Sequence, residues 1–417
     1  MTDPITAQRR PLEGLRVLDL TVALAGPYGT LLLAGLGAEV IKIESPGGGD
    51  IARMNPPFYG ERGMHFDALE DGDISLSILA RAREKKSISL DLKSDAGRQL
   101  FYRLVEQADI VFENLSDGTV ERLGVDYETV RAHNPRIVYC SVSGLGRPSL
   151  YPGVKAMDIT VQALSGLMDT TGHADGPPLR VGIAISDLLA PLYGVIGVQS
   201  ALRQREVTGQ GQHVVVSMLE CLTSLLPFEH LDVLQRNGFP PRSGNHHNRL
   251  APFGVYPTSD GYVSIAAASD AWMRSIFDAM GKPELIEDPR FASRGPRAMN
   301  ADALNTMIEE WTARQTSAEV IEELSTRRSV PCVPVRTASE ALSDPALFER
   351  GVLQHLQHPR AGTIDAVAGG IPIHMSDASV GLERPAAELG ADNADVYGQL
   401  LGLSADELAR LRDEGIV

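Results

Sequence analysis

The feature that most constrains the fold of this chain is an alternation of strand and helix patterns before residue 145. Apolar runs typical of buried strands lie at residues 16–20, 38–44, 87–93, 109–114 and 136–144. Helical patterns separate them, as at residues 25–37, where Pro27 suits a first turn, and at 94–108. Units that alternate in this way predict an α/β fold with a Rossmann-like, doubly wound parallel sheet.

A sheet of this kind usually binds its ligand beyond the carboxyl ends of its strands. In this chain those ends carry residues 21–26, residues 44–50, Lys93, Asn114 and Gly144. The turn after the first strand reads LTVALAGPYG and lacks the GxGxxG pattern of dinucleotide sites. The sequence therefore predicts a ligand at this edge of the sheet and gives no reason to expect NAD.

A different pattern begins in the second half of the chain. Residues 237–248 are rich in Gly, Pro and Asn, and a hairpin with a Ser-Asp-Gly turn follows at 252–267. Helical patterns lie near residues 270–281 and 299–327. We therefore expect a second, smaller α+β domain over residues 240–330.

The charges and cysteines limit the classes of partner and compartment. The net charge is −16, whereas nucleic acid or an anionic membrane would require a dominant basic face, so neither is expected as a partner. The basic run at residues 81–86 adjoins a strand and is expected to be a solvated face.

Cys140, Cys221 and Cys332 lack metal-ligand spacing, and the N-terminal segment has no apolar signal region. A reduced, cytoplasmic protein is therefore expected.

Asp187 is the only charged residue between Val181 and Leu202. A buried carboxylate without a partner is costly, so its presence needs a reason. A membrane span is disfavoured because Asp187, Pro191 and two glycines interrupt the apolar run. A helix N-cap is one interpretation, although a proline four residues later removes a helical hydrogen bond. A reactive carboxylate is the other.

The densest polar cluster is the segment NHHNR at residues 245–249. Adjacent histidines point apart in most backbones, so His246 and His247 do not predict a metal site. A solvated loop and a pocket for a substrate carboxylate both remain open. The chain contains no GxSxG elbow and no Walker loop, which disfavours a hydrolase or an ATPase.

Many segments, in order along nearly the whole chain, resemble the class III CoA-transferases. This family includes formyl-CoA:oxalate and carnitine CoA-transferases, with the α-methylacyl-CoA racemases as a side branch. The matching segments include LEGLRVLDLT, AGPYGTLLLAGLGAEVIKIESPGGGD, KKSISLDLKSDAGRQLFYRLVEQADIVFENLSDGTVERLG, TTGHADGPPLRVGIAISD, TGQGQHVVVSMLE and VPCVPV.

The resemblance implies that Asp187, in the step AISD, is the catalytic nucleophile. It also implies coenzyme A contacts from the backbone at Leu24 and Ala25 and from Leu90, Lys93, Asn114, Leu115, Arg122 and Lys155. Local cations and backbone donors are what the phosphates of coenzyme A need in an acidic protein. Two departures from the family are Ser45 and Pro46, where some relatives carry a cation, and SGNHHN, where some carry a glycine-rich loop.

The family fold would divide the chain further. It implies a large coenzyme A-binding domain from residues 1–205 and 351–417, linkers at 206–239 and 331–350, and the small domain between them. It also implies a homodimer of two interlocked rings.

The activity implied is transfer of CoA from an acyl-CoA donor to a free carboxylic acid. It would proceed through an acyl-aspartyl anhydride and an aspartyl-CoA thioester. No metal and no tightly bound cofactor is expected, since coenzyme A and acyl-CoA are substrates. Arg180, His246, His247 and Arg249 favour a small dicarboxylate such as succinate.

Two alternatives belong to other classes of function. A racemase of the same family needs a second base, which is a histidine before the residue that corresponds to Asp158. Here Met157 holds that position, which disfavours the isomerase. Asp158 itself is expected either to orient the site or only to cap a helix. The third possibility is a protein that binds acyl-CoA without a reaction.

Overall fold

A computed structural model describes residues 9–417. Residues 1–8, which hold part of the segment tested for a signal sequence, lie outside the described residues. The strands are β1 Arg16–Asp19, β2 Glu39–Glu44, β3 Phe58–Gly60, β4 Gly63–His65, β5 Ile74–Ser75, β6 Lys85–Ser89, β7 Ile110–Glu113, β8 Val138–Ser143, β9 His213–Ser217, β10 Phe253–Pro257, β11 Tyr262–Ala266, β12 Cys332–Pro334, β13 Leu353–His358 and β14 Gly362–Gly369.

The α-helices are α1 Ala25–Gly35, α2 Leu76–Arg81, α3 Asp95–Val105, α4 Thr119–Leu123, α5 Tyr127–His133, α6 Asp158–Leu164, α7 Ile185–Thr208, α8 Met218–Thr223, α9 Leu231–Arg236, α10 Asp270–Ala279, α11 Arg294–Met299, α12 Ala301–Thr312, α13 Ser317–Ile321, α14 Ala338–Leu342, α15 Pro345–Glu349, α16 Asn393–Leu401 and α17 Ala405–Asp413. A π-helical turn, Glu322–Thr326, continues α13, and short 3-10 helices lie at Ile51–Met54, Leu167–Thr170, Leu226–Glu229 and Pro283–Glu287.

The central sheet has the strand order β6-β2-β1-β7-β8-β9, and every pair in it is parallel. In chain order this is 3-2-1-4-5-6, the arrangement of Rossmann sheets, whose ligands bind where the order reverses. The reversal lies between β1 and β7, where Val17 pairs with Ile110. The predicted α/β fold with a doubly wound parallel sheet is confirmed.

The hydrophobic core on one side of this sheet forms where the apolar faces of helices pack against the buried strands. Ser94 caps α3 by accepting a hydrogen bond from Gly97 N at 3.0 Å, and Phe101 and Leu104 of that helix are fully buried. The C-terminal helices α16 and α17 join the same core, and the Tyr397 hydroxyl donates to the Ser89 carbonyl at 2.8 Å. The end of the chain therefore packs against its beginning.

The chain divides into two compact units. The first takes the chain up to Ser165, Gly182–Leu225 and Asp344–Val417, and the second takes Gly166–Val181 and Leu226–Ser343. The first unit also contains the small antiparallel sheet β4-β3-β5 and the β13-β14 hairpin. The second unit packs helices against the antiparallel sheet β10-β11-β12, with Tyr256, Ile265 and Phe277 fully buried in its core.

Helix α7 is the one helix of residues 9–417 that is long and apolar enough to cross a membrane. A core helix of a globular domain has the same length and composition. Here α7 approaches α1 and the sheet closely: a Cβ on Gly194 would lie 3.1 Å from the Phe112 ring, and one on Gly29 would lie 3.2 Å from Pro191. These contacts account for the small residues that interrupt the apolar run.

Candidate active site

Asp187 lies in the first turn of α7, and its side chain is half-buried. The helix begins at Ile185 after Ala184, which caps it without a side-chain hydrogen bond. The interpretation of Asp187 as the N-cap is therefore wrong, and Pro191 is accommodated inside the helix. No ion pair holds Asp187 within residues 9–417, so its carboxylate is free to react.

Asp158 is the first residue of α6 and binds the start of α7. Its Oδ1 accepts hydrogen bonds from Ser186 N at 2.9 Å and from Ser186 Oγ at 2.8 Å, and its Oδ2 accepts one from Gln162 Nε2 at 2.7 Å. Ser186 is fully buried. Asp158 thus fixes the backbone immediately before Asp187, which supports the orienting role over a cap of its own helix.

The electrostatic setting of Asp187 disfavours its charge. The pKa of Asp187 is raised to about 6, first by burial and then by the nearby charge of Asp158, while the cation of Arg81 opposes the rise. A carboxylate of this pKa is ionised at neutral pH but is less stable than a solvated one. Such a group is suited to forming a bond that removes its charge.

The loop between β1 and α1 is held by side chains from other strands. The Asn114 side chain accepts from Val22 N at 2.8 Å and donates to Val22 O at 2.9 Å. Asp50 accepts from Ala23 N at 2.9 Å, and Ala23 has a left-handed backbone with φ of +63°. A non-glycine residue rarely adopts this conformation, so these contacts stabilise a specific loop shape at the ligand-binding edge.

A buried network of charges underlies this loop. Lys42 Nζ donates to the Thr21 carbonyl at 2.8 Å and to Asp50 at 2.9 Å, and Lys85 Nζ bonds Asp19 at 3.0 Å. The two lysines hold the pKa of Asp19 down at about 2 although burial opposes this, and burial lowers the pKa of Lys85 to about 8. This network was not predicted from the sequence. The signal that could have indicated it is the presence of charged residues within otherwise apolar strand patterns.

The basic run at residues 81–86 is not a solvated face, and that prediction is wrong. Lys85 and Arg83 are buried and Arg81 is half-buried. The guanidinium of Arg83 donates to the Ala80 and Gly369 carbonyls and to Gln354. The cations of this run therefore make their contacts inside the first unit.

A cavity of about 170 Å³ opens at the carboxyl edge of the sheet, beside the reversal of strand order. Three of the residues expected to contact coenzyme A line it, Leu90, Lys93 and Leu115, and Ser45 lines it too. Asn114 is instead engaged with the loop, as described above. Leu24 precedes α1 and is partly exposed, while Ala25 is buried in its first turn.

The three cations expected to bind coenzyme A phosphates, Lys93, Arg122 and Lys155, are all exposed and belong to the first unit. In residues 9–417 none of them has a carboxylate within 4.0 Å. The Arg122 guanidinium donates to Thr119 Oγ1 at 2.8 Å. Their charges are therefore available for anionic groups.

The polar cluster 245–249 belongs to the second unit, whereas Asp187 belongs to the first. Arg249 Nη2 lies 3.1 Å and His247 Nε2 lies 3.6 Å from Glu229, and His246 Nε2 lies 3.6 Å from Glu309. Burial lowers the pKa of both histidines, which favours their neutral forms.

Arg180 is exposed, and its guanidinium donates to the Val181 carbonyl. Residues 9–417 contain no cluster of His, Cys, Asp and Glu suited to a metal ion.

Known proteins match this chain over most of its length. Residues 12–393 match the sequence profile of CoA-transferase family III. Succinyl-CoA:mesaconate CoA-transferase from Haloarcula hispanica is 37% identical over 375 residues, which cover 88% of this chain and 90% of that protein. Succinate–glutarate CoA-transferase from Agrobacterium fabrum is 33% identical over 402 residues, with coverages of 96% and 98%.

The crystal structure of a CAIB/BAIF family protein from Brucella suis has the same fold. The match between the two structures has a TM-score of 0.79 and 34% sequence identity, and it covers 94% of this chain and 100% of that chain. The family resemblance of the motifs is confirmed by this match and by the sequence profile. The chain is a member of CoA-transferase family III.

Proposed function

We propose that this protein transfers CoA from an acyl-CoA donor to a small free dicarboxylic acid, with Asp187 as the nucleophile. The observation that carries the proposal is the half-buried carboxylate of Asp187, which has no ion-pair partner within residues 9–417 and whose pKa is raised to about 6. Asp158 and Ser186 fix the helix turn that presents it.

The reaction follows from the chemistry of a carboxylate beside a thioester. An oxygen of Asp187 attacks the thioester carbonyl, and the C–S bond breaks to release CoA thiolate and leave an acyl-aspartyl anhydride. The thiolate attacks Cγ of Asp187, which gives an aspartyl-CoA thioester and frees the first acid. The carboxylate of the second acid then attacks this thioester, and the same steps run in reverse.

Three features of the chain serve these steps. The anhydride would hydrolyse in water, so a half-buried Asp187 favours transfer over hydrolysis. The first turn of α1 has no side-chain cap, which leaves backbone N–H groups at Ala25 and Gly26 for a developing oxyanion or a phosphate. Asp187 lies in the first turn of α7, where the positive end of the helix dipole favours the anionic form of its carboxyl group.

Coenzyme A is proposed to bind in the cavity at Leu90, Lys93 and Leu115. Lys93, Arg122 and Lys155 would meet its phosphates, because their charges are uncompensated within the described chain. The dicarboxylate substrate is proposed because similar proteins carry the names of succinate, mesaconate and glutarate transferases.

The isomerase alternative is not favoured by the geometry. It requires a second base opposite Asp187, and Asp158 uses both of its oxygens to accept hydrogen bonds from Ser186 and Gln162. Met157, before it, has no titratable group.

We further propose a cytoplasmic homodimer with interlocked chains. Helix α7 supports an interface because Leu192, Tyr193, Ile196 and Val207 leave apolar surface exposed along it. Light scattering of the purified protein should give twice the chain mass, and a monomer at micromolar concentration would contradict the dimer.

A screen of donors and acceptors tests the proposed activity. Succinyl-CoA and acetyl-CoA would each be mixed with isotope-labelled free acids, and the CoA esters formed would be identified by mass spectrometry. We expect label in a new dicarboxyl-CoA ester without net loss of thioester. Hydrolysis to free CoA without exchange, or racemisation of a branched acyl-CoA without exchange, would contradict the proposal.

A further inference from the structure

Arg81 differs from three other shielded arginines of the first unit. Arg53, Arg147 and Arg205 are each paired with a carboxylate: Glu44, Glu113 and Asp109, respectively. Arg81 is half-buried, yet in residues 9–417 no carboxylate lies within 4.0 Å of its guanidinium. Its hydrogen bond runs from Nη1 to the Ala23 carbonyl. A guanidinium carries several N–H donors in a fork, so most of its binding capacity remains unused.

The side-chain hydrogen bond from Arg81 to Ala23 places the guanidinium at the ligand-binding edge. Ala23 is the residue with the left-handed backbone in the loop between β1 and α1, and Asp50 holds its N–H. Arg81 ends α2 and reaches this loop from a neighbouring element. Its guanidinium is therefore anchored on one side by this loop.

Arg81 also lies near Asp187 without touching it. The cation opposes the rise in the pKa of Asp187. Burial lowers the pKa of Arg81, and the charges of Asp50 and then Asp187 oppose that fall. Helices α1 and α7 are in close contact at Gly29 and Pro191. Asp187 lies one turn before Pro191 and Ala25 lies one turn before Gly29, so both helix beginnings are within a turn of this contact.

We propose that Arg81 binds the second, non-reacting carboxylate of a dicarboxylate whose first carboxyl group reacts at Asp187. This assignment rests on the proposed function. A dicarboxylate brings an anion into a partly dehydrated site, which is costly unless a cation meets it. A guanidinium suits this role because its parallel N–H groups bind both carboxylate oxygens. Arg81 and Asp187 are more than 4.0 Å apart, so no direct ion pair between them has to break before a substrate binds.

The other cations considered for this role differ from Arg81. Arg249 is compensated by Glu229 at 3.1 Å and belongs to the second unit. The guanidinium of Arg83 already donates hydrogen bonds to the Ala80 and Gly369 carbonyls and to Gln354. Arg81 combines a guanidinium that has no carboxylate within 4.0 Å in residues 9–417, partial burial and proximity to the proposed nucleophile.

The test compares succinate with butyrate, which has the same chain length and a methyl group in place of one carboxylate. Each variant is assayed for kcat/KM with both acids and one acyl-CoA donor, and the ratio of the two values is the readout. Loss of folded protein lowers both values and cancels in the ratio. In Arg81→Met we expect the succinate-to-butyrate ratio to fall about ten- to a hundredfold. Arg81→Lys should give an intermediate ratio, because it keeps the charge and loses the fork.

The matched control is Arg236→Met, an exposed arginine on α9 that pairs with Asp232, and it should keep the wild-type ratio. An unchanged ratio in Arg81→Met, or a ratio that falls in Arg249→Met instead, overturns the assignment. If Arg81→Met does not fold, Arg81→Lys decides, and an unchanged ratio there also overturns it. A wild-type protein that exchanges CoA only onto monocarboxylates overturns the assignment and leaves transfer at Asp187 standing. A wild type that exchanges onto no acid contradicts the proposed function itself.

Discussion

Asp158 Oδ1 accepts hydrogen bonds from both the N–H and the hydroxyl of Ser186, at 2.9 and 2.8 Å. Ser186 directly precedes Asp187, so one carboxylate positions the backbone that carries the other. The same relationship places two negative charges close together, which raises the pKa of Asp187 in addition to burial. Asp158 therefore contributes both to the position and to the reactivity of Asp187.

Asp158→Asn should separate these two effects. The amide keeps an oxygen that accepts from Ser186 but removes the charge, so the pKa of Asp187 should fall. Since the ionised form is the nucleophile, the acidic limb of the kcat/KM profile, expected near pH 6 in the wild type, should move to lower pH. A limb that stays in place or moves to higher pH would show that Asp158 does not set the charge state of Asp187.

Asp187→Asn should stabilise the protein while it removes activity. The pKa of Asp187 is raised from 3.8 to about 6, so the native state disfavours the anion. This cost to the free energy of unfolding is absent below the unfolded pKa and is complete above pH 6. At pH 8 the variant should be more stable by about 1–2 kcal/mol after allowance for solvent screening, and the difference should shrink towards pH 4. Urea unfolding at both pH values measures this, and a variant less stable than the wild type at pH 8 would contradict it.

Neutralising Lys93, Arg122 or Lys155 should weaken binding of CoA esters more than it slows the bound reaction. Each lost charge-assisted hydrogen bond costs about 1.5–3 kcal/mol, or roughly ten- to a hundredfold or somewhat more in affinity. The measurement is KM for the acyl-CoA beside kcat, with Arg236→Met as the surface control. Michaelis constants that match the wild type in all three variants would mean that coenzyme A binds elsewhere.

Much of the fold could be predicted because strand and helix signals are local. The runs at 16–20, 38–44 and 109–114 contain β1, β2 and β7, which are largely buried and therefore mostly apolar apart from a few charged residues such as Asp19 and Lys42. Asp187 could be found for the converse reason, since a lone charge in an apolar run is conspicuous. The family motifs then indicated its role.

The charges of residues 81–86 could not be placed from the sequence because their partners are distant in the chain. Lys85 meets Asp19 across the sheet, and Arg83 meets Gln354 and Gly369 near the other end of the sequence. A basic run has the same composition whether water or buried carboxylates compensate it. Arg81 was missed for this reason, and Arg249 was preferred although Glu229 compensates it.

A covalent adduct on Asp187 is the measurement that tests the proposed mechanism most directly. The wild-type protein would be incubated with an acyl-CoA, quenched in acid and digested, and the peptide that contains Asp187 would be analysed by mass spectrometry. We predict that this peptide carries coenzyme A through a bond that thiols and hydroxylamine cleave. Asp187→Ala should show no adduct, should remain folded and should lose transfer by a factor on the order of 10⁴ or more. Transfer by Asp187→Ala within about tenfold of the wild type, or an adduct on another residue, would contradict the mechanism.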